Sequence, residues 1–264
     1  MQQFNFMNIQ FYKYEGTGND FIILDNRTNE YDGLSKEQIR FLCDRHFGIG
    51  ADGLMLFNNS PGYDFLMTYY NADGAQSSMC GNGGRCLVKF AYDRGLLLQN
   101  YRFLAIDGLH EAFFTQNGWI QLKMKDVTDV QHHFADSILD TGSPHYVKTV
   151  SDIWNINVAE EGKNIRYSHA FKEQGINVNF VQFADEKIIV RTYERGVENE
   201  TLSCGTGVTA AALIAAHNEL GFNRVEVQTP GGHLAVEFEK HENSFTNVWL
   251  CGPATYVFKG EIDI

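Results

Sequence analysis

Two cysteines stand in matching surroundings, Cys80 in "SSMCGNGGRC" and Cys204 in "TLSCGTGVTA". Each is followed at once by Gly-x-Gly and then by a helix-like run. A cysteine at a helix N-terminus meets the positive end of the helix dipole and nearby backbone N–H groups, and both favour thiolate over thiol. Gly81 and Gly205 let the backbone come close to a ligand. The N–H groups of a first helical turn can hold an anion such as a carboxylate. Two such helices aimed at one spot would clamp a carboxylate between two thiols. That arrangement suits proton exchange at the neighbouring carbon. One thiolate takes the α-proton from one face, the other thiol returns a proton to the opposite face, and the stereocentre inverts. The N–H groups would stabilise the developing negative charge. No metal or redox cofactor is demanded.

The remaining cysteines have plainer readings. Cys43 and Cys251 read as small buried hydrophobes, and Cys86, inside the helix that follows Cys80, reads as packing. Five cysteines in 264 residues form an odd, sparse set, which argues against a disulfide framework.

The two cysteine segments are copies of one plan. "TYYNADGAQSSMCGNGGR" and "RTYERGVENETLSCGTGV" each begin on a strand that ends at a tyrosine, Tyr70 or Tyr193. A polar turn follows, then the cysteine, then a helix apolar almost all round and therefore buried. The first helix should run from about Gly83 to Arg94 and stop at Gly95. The second should run from about Val208 to Leu220 and stop at Gly221. A third helix is announced by Ser35 with Gln38 three residues on, a capping box, with Ile39, Leu42 and Cys43 on one face. The rest reads as short strands in antiparallel hairpins rather than βαβ units. The hairpins include "HEAFFTQNGWIQLKM" around Asn117-Gly118, "NVNFVQFADEKIIVRTY", "RVEVQTPGGHLAVEF" and "NVWLCGPATYVF". The expected fold class is α+β: two pseudo-symmetric halves, each a mostly antiparallel sheet or barrel wrapped around a central buried helix. The halves should divide into 1–124, with a C-terminal strand 255–264 returning to it, and 125–254. The two cysteines would then face a shared cleft, where small-molecule sites tend to lie.

Hydrophobic residues make up 44% of the chain, enough for real cores, and the net charge is −12 from 21 basic and 33 acidic residues. With no basic block, nucleic acid is an unsuitable partner. "MQQFNFMNIQ" has neither the cationic start nor the apolar core of a signal peptide, and "AAALIAA" is too short to cross a bilayer. The chain reads as soluble and cytoplasmic, with no membrane partner.

Beyond the cysteines, "GTGNDFIILD" (16–25), "NADG" (71–74), "CGNGGRC" (80–86), "GSPHYV" (142–147), "INVNFV" (176–181), "YERGVENET" (193–201) and "CGTGVTAAA" (204–212) stand in one order. In these segments the chain resembles the diaminopimelate epimerases, within the wider group of cofactor-independent racemases that includes the proline racemases. The resemblance runs end to end from about Met7, so the residues before Met7 look like an extension. It implies interconversion of LL- and meso-2,6-diaminopimelate, in lysine and cell-wall precursor biosynthesis, by a homodimer without pyridoxal phosphate or metal. It implies Cys80 and Cys204 as the acid/base thiols, and Gly81, Asn82, Gly205 and Thr206 as the clamp on the reacting carboxylate. Asn19, Asn71, Asn177 and Arg195 would bind substrate, Arg195 through a bidentate grip on the distal carboxylate. Glu194 and His145 would lie near the thiols or the substrate amines. Proline-type relatives usually carry His after the first Cys-Gly, where this chain has Asn82. Many family members carry Gln where Gly53 stands and Asn where Ser143 stands. Gly53 has no side chain to offer, whereas Ser143 keeps one hydrogen bond and stays a substrate-binding candidate.

Other readings compete. "GTGVTA" matches a dinucleotide-binding fingerprint, with Glu226 as the ribose acid, but no strand directly precedes it. A cysteine hydrolase pairing one thiol with His145 would leave the other cysteine idle. Cys80, Cys86 and Cys204 lack the short paired spacings of a zinc site. A proline or hydroxyproline racemase would share the chemistry, but its substrate lacks the second polar end for which Arg195 and the asparagines are suited. Asn19 and Asn71 also fit turn positions, His145 an ordinary hydrogen-bonded histidine, and Arg195 a surface pair with Glu198 or Glu200.

Overall fold

The structure is a computed structural model, and it describes residues 7–264; the extension expected before Met7 lies outside the described residues. The chain forms two compact units. One ends at Ile120 and regains Ala254–Ile264, and the other is Gln121–Pro253.

The first unit contains β1 (Asn8–Gly16), β2 (Asn19–Asp25), α1 (Lys36–Cys43), β3 (Gly53–Asn58), β4 (Phe65–Asn71), β5 (Gln76–Ser77), α2 (Gly81–Asp93), β6 (Asn100–Ala105) and β7 (Gly108–Phe114). Then β8 (Ile120–Lys123) carries the chain into the second unit. That unit holds β9 (Gln131–His133), β10 (Asp136–Asp140), β11 (Pro144–Thr149), α3 (Val158–Arg166), β12 (Asn177–Ala184), β13 (Lys187–Glu194), β14 (Asn199–Thr201), α4 (Gly205–Ile214), β15 (Gly221–Thr229), β16 (Gly232–Lys240) and β17 (Phe245–Gly252). The last strand, β18 (Thr255–Asp263), runs antiparallel along β1.

One connection plan is used twice. In the first unit β1–β2, β3–β4 and β6–β7 are antiparallel, while β2–β3 and β4–β6 are parallel. In the second, β10–β11, β12–β13 and β15–β16 are antiparallel, while β11–β12 and β13–β15 are parallel. Each parallel pair needs a crossover, and each crossover carries a helix. Thus α1 and α2 serve the first unit, α3 and α4 the second. The expectation of hairpins without βαβ units therefore holds only for the antiparallel pairs. The internal repeat is longer than the cysteine segments, covering β1 to β7 and β10 to β16. Two hairpins are not formed as expected. Around Asn117-Gly118 the turn closes, with Thr115 N–H donating to Trp119 O at 2.9 Å, but β7 pairs with β6 and β8 with β17. In "NVWLCGPATYVF", β17 pairs with β16 and β18 with β1, because Gly252-Pro253 interrupts the ladder.

Burial follows the helices. In α2, Cys86, Leu87, Val88, Phe90 and Ala91 are fully buried, and the Phe90 ring meets Tyr12, Tyr14 and Phe57 at 5.1, 5.9 and 5.3 Å between centroids. In α4, Val208, Ala210, Ala211 and Ala212 are fully buried, and small side chains let the surrounding strands close in. The α1 capping box forms as expected: Gln38 N–H donates to Ser35 Oγ at 3.2 Å, and Ser35 N–H donates to Gln38 Oε1 at 2.9 Å. Ile39, Leu42 and Cys43 are buried.

Helix ends depart from expectation. α2 starts at Gly81, two residues early, with Cys80 itself as N-cap. α4 likewise starts at Gly205 with Cys204 as N-cap, but it ends at Ile214 rather than Leu220. Asn218 and Asn223 explain the early stop: Asn218 N–H donates to Asn223 Oδ1 at 2.8 Å and Asn218 Nδ2 to Phe222 O at 2.8 Å. These local side-chain bonds offer the backbone an alternative to the helix. Helix α3 was not expected. Its signal is Asn157, whose Oδ1 accepts from Glu160 N–H at 3.3 Å and whose Nδ2 donates to Glu160 Oε2 at 3.0 Å. Among the described residues no helix is long and apolar enough to cross a membrane.

Gly162 sits inside α3 because that face lies directly on Tyr193, where a Cβ would come 2.3 Å from the tyrosine Cβ. Helix propensity alone would make Gly162→Ala stabilising by about 1 kcal/mol. Overpacking against a fixed backbone costs about 1–3 kcal/mol and should win. A urea titration should therefore show Gly162→Ala to be the less stable protein; a gain in midpoint would refute this contact.

Candidate functional site

In the first unit, the sequence candidates Asn19, Cys80, Gly81 and Asn82 come together. Cys80 caps α2 without a side-chain hydrogen bond to the helix. Its Sγ lies 3.6 Å from Asn19 Oδ1, to which it donates. Asn82 Nδ2 donates to the same oxygen at 3.3 Å. Asn19 Nδ2 donates to Asp52 Oδ2 at 2.5 Å. Arg85, fully buried in α2, donates from Nη2 to Asn82 Oδ1 at 3.0 Å and to Thr17 Oγ1 at 3.3 Å. Asn71 stands apart from this network: it ends β4, is exposed, and lies opposite Gly53 in the β3–β4 register.

Gly53 itself is explained by Tyr69. A Cβ at position 53 would meet the Tyr69 ring at 2.5 Å and the Tyr70 carbonyl at 2.7 Å. The space next to Gly53 is filled by a buried phenol, which leaves no room for a longer side chain here.

In the second unit, Ser143, Asn177 and Arg195 form one cluster. Asn177 Nδ2 donates to Ser143 Oγ at 2.9 Å and to Pro144 O at 3.0 Å, and Asn177 Oδ1 accepts from Arg195 N–H at 2.9 Å. The Arg195 guanidinium donates to Gln174 O at 3.0 Å and to Ser143 Oγ at 3.3 Å. Glu200 is taken instead by Arg191, and Glu198 by Arg166, Tyr167 and Tyr193, so Arg195 is not spent on a surface ion pair. Its guanidinium is exposed and keeps donors for an anion.

Cys204 caps α4, with its Sγ 3.5 Å from Thr206 Oγ1. Thr206 O accepts from Thr141 Oγ1 at 2.8 Å, which ties the loop before Ser143 to the start of the helix. Glu194 ends β13, and its Oε2 accepts from Thr201 Oγ1 at 2.9 Å.

His145 is fully buried in β11. Asn179 Nδ2 donates to Tyr146 O at 3.1 Å and lies 3.0 Å from His145 Nδ1, while Asn179 Oδ1 accepts from Thr192 at 3.0 Å. The carbonyl of Tyr146 fixes the amide orientation, so Nδ1 is an acceptor and the ring proton belongs on Nε2. Nε2 finds no partner among the described residues. Burial, helped by the Arg195 cation, pushes the His145 pKa down to about 3, so the ring is neutral at ordinary pH. The other cysteines behave as packing. Burial pushes the Cys43 thiol up to about 12 and raises Cys86 too, and Cys251 is buried.

Four of these neighbours were not singled out from sequence: Asp52, Arg85, Thr141 and Asn179. The charge of Arg85, five residues after Cys80 in a helix expected to be buried, was the available signal, because a buried cation needs partners.

The profile of the diaminopimelate epimerase family matches residues 11–129 and 137–257. The chain belongs to the diaminopimelate epimerase family. It is 48% identical over 256 residues to a diaminopimelate epimerase from Flavobacterium psychrophilum, covering 96% of this chain and 100% of that one. A diaminopimelate epimerase from Aquifex aeolicus is 38% identical, covering 96% and 98%. The fold is shared more widely. A PhzF-family phenazine biosynthesis protein from Bacillus anthracis matches with a TM-score of 0.76 at 17% identity, covering 98% of this chain and 100% of that chain. A hydroxyproline epimerase from Agrobacterium vitis matches with a TM-score of 0.71 at 13% identity, covering 97% and 93%. In this member of the diaminopimelate epimerase family, both cysteines cap helices and Tyr69 packs over Gly53.

The buried neutral His145 makes a stability prediction. Its folded pKa lies below the unfolded value of about 6.5, so the unfolded chain binds the extra proton and stability falls as pH drops from about 6.5 towards 3. Between pH 7.5 and pH 5 the loss from this group is about 2 kcal/mol. His145→Gln should flatten that part of the pH dependence in chemical denaturation. The same decline in both proteins would refute it.

Proposed function

We propose that the chain interconverts LL- and meso-2,6-diaminopimelate by exchanging one α-proton between two thiols, Cys80 and Cys204. The observation that carries this reading is the repeat itself: each unit holds one helix capped by a cysteine and opened by glycine. In each direction the cysteine facing the α-hydrogen takes it as thiolate; the C–H bond breaks and an S–H bond forms. The electron pair passes into the bound carboxylate. The opposite thiol then gives its hydrogen to the other face of the same carbon, and its own electron pair remains on sulfur. The protonation states of the two cysteines are exchanged after each turnover.

In this reading the first-turn N–H groups at Gly81, Asn82, Gly205 and Thr206 hold the reacting carboxylate and stabilise the enolate-like charge. Those N–H groups have no acceptor within their own helix. Arg195, steadied by Ser143 and Gln174, takes the distal carboxylate, with Asn177, Asn19 and Asn71 as further polar contacts. Glu194 and neutral His145 modulate the site. A two-ended polar substrate uses the Arg195 cluster, whereas proline would leave that cation unmatched. The working form is a homodimer in the cytoplasm.

Purified enzyme given LL-diaminopimelate should form the meso isomer, with no turnover of proline or hydroxyproline. Cys80→Ala and Cys204→Ala should each lower kcat by about 10²- to 10⁴-fold, the usual worth of a positioned acid or base. Full activity in either variant would overturn the two-thiol assignment, and turnover of proline alone would overturn the substrate.

A further inference from the structure

The side chains around Cys80 form a chain of hydrogen bonds with one possible direction. At one end Arg85 can only donate, and it donates to Asn82 Oδ1 at 3.0 Å. At the other end the Asp52 carboxylate can only accept, and it accepts from Asn19 Nδ2 at 2.5 Å. Between them Asn82 Nδ2 donates to Asn19 Oδ1 at 3.3 Å. An amide can ordinarily turn over and exchange its oxygen and nitrogen. Here neither can, because a flip of Asn82 would set its NH2 against Arg85, and a flip of Asn19 would set its oxygen against a carboxylate. The cation and the anion therefore fix both amides, and the oxygen of Asn19 is the atom presented to Cys80 Sγ, at 3.6 Å.

Asp52 is itself held. Arg45 Nη2 donates to Asp52 Oδ1 at 2.8 Å and to Asp20 Oδ1 at 2.6 Å, and Arg45 Nη1 donates to Asp20 Oδ2 at 3.0 Å. Lys13, buried, closes the far side of Asp20 at 2.6 Å and also donates to Gly50 O. Backbone bonds complete the hold, with Asp52 N–H on Asp20 O at 2.9 Å. These four charged groups lie within the first unit and outside the set of residues assigned to substrate.

We propose that Asp52 and Arg85 are positioning residues that lock the Asn19 amide as a hydrogen-bond acceptor for Cys80 and so keep Cys80 protonated in the resting enzyme. An amide oxygen facing sulfur stabilises S–H and disfavours the thiolate, since hydrogen bonding to the neutral form opposes ionisation. Beside Cys204 stands a group of another kind, the hydroxyl of Thr206 3.5 Å from Sγ, which can accept from a thiol or donate to a thiolate. The two cysteines, equivalent as helix caps, thus face different groups, an amide oxygen and a hydroxyl. The inference rests on Cys80 being one of the two acid/base thiols, but its test needs no substrate, so its failure leaves that reading standing.

The test is alkylation of the reduced enzyme with iodoacetamide across pH 5 to 10, followed peptide by peptide by mass spectrometry. The midpoint of the rate against pH reports the ionisation of each thiol, because the thiolate is the nucleophile. Two variants are compared with the parent, Asn19→Ala, which removes the acceptor without changing charge, and Asp52→Ala, which removes its anchor. In both, the Cys80 midpoint should move down by about one pH unit, roughly a tenfold faster reaction at neutral pH, while the Cys204 midpoint stays put. An unmoved Cys80 midpoint in Asn19→Ala overturns the proposal, and a shift confined to Asp52→Ala then reports only the loss of a nearby negative charge. A common shift of both cysteines would also overturn it. If Asp52→Ala fails to fold, Asn19→Ala decides alone.

Discussion

The constraint on which this fold rests is the start of a buried helix. A helix leaves its first N–H groups without partners in its own ladder, and burial makes that costly unless something accepts them. Here the cap residue is a cysteine whose side chain does not accept them, and the next residue is a glycine. The start of α2 and the start of α4 thus lack the side-chain cap that would ordinarily take up these donors. Each helix must also be surrounded by strands, which is why its side chains are apolar or small and why its unit is organised as crossovers around it.

Charge placement then distinguishes the two repeats. Around α2 the polar network ends in an internal cation, Arg85, and a clamped carboxylate, Asp52, so the intervening amides have one orientation. Around α4 the comparable positions carry hydroxyls and a neutral imidazole. Thr206 lies beside the thiol, Thr141 secures Thr206, and His145 is held in one tautomer by Asn179. A symmetric backbone plan therefore carries side-chain networks of different polarity.

Much of this was legible in the sequence, and for identifiable reasons. The capping box at Ser35 and Gln38 is a local pattern with a local mechanism, and it forms as read. The cysteine segments announce themselves because two copies of Cys-Gly-x-Gly precede apolar runs. What was not legible depends on distant partners. The parallel pairing of β2 with β3 or β11 with β12 leaves no mark within either strand. The early end of α4 depends on Asn223 bonding back to Asn218 across five residues. Asp52 and Arg45 look like ordinary surface charges until the fold sets them beside Asn19. The glycine at position 53 looks like a missing side chain, and only the Tyr69 ring packed against it shows why none fits. Helix α3 is the exception, because Asn157 and Glu160 are a local signal, three residues apart in the sequence.

The central claim is that two different groups act on opposite faces of one carbon. The most direct measurement is the fate of deuterium at early conversion in D2O. With separate acid and base, deuterium enters the meso product while recovered LL-diaminopimelate stays protonated at its α-carbon, because the returning proton comes from the opposite thiol. The account predicts that partition. Equal deuterium in recovered substrate and product from the first turnovers would mean a single exchanging base serves both faces, and the pairing of Cys80 with Cys204 would be wrong.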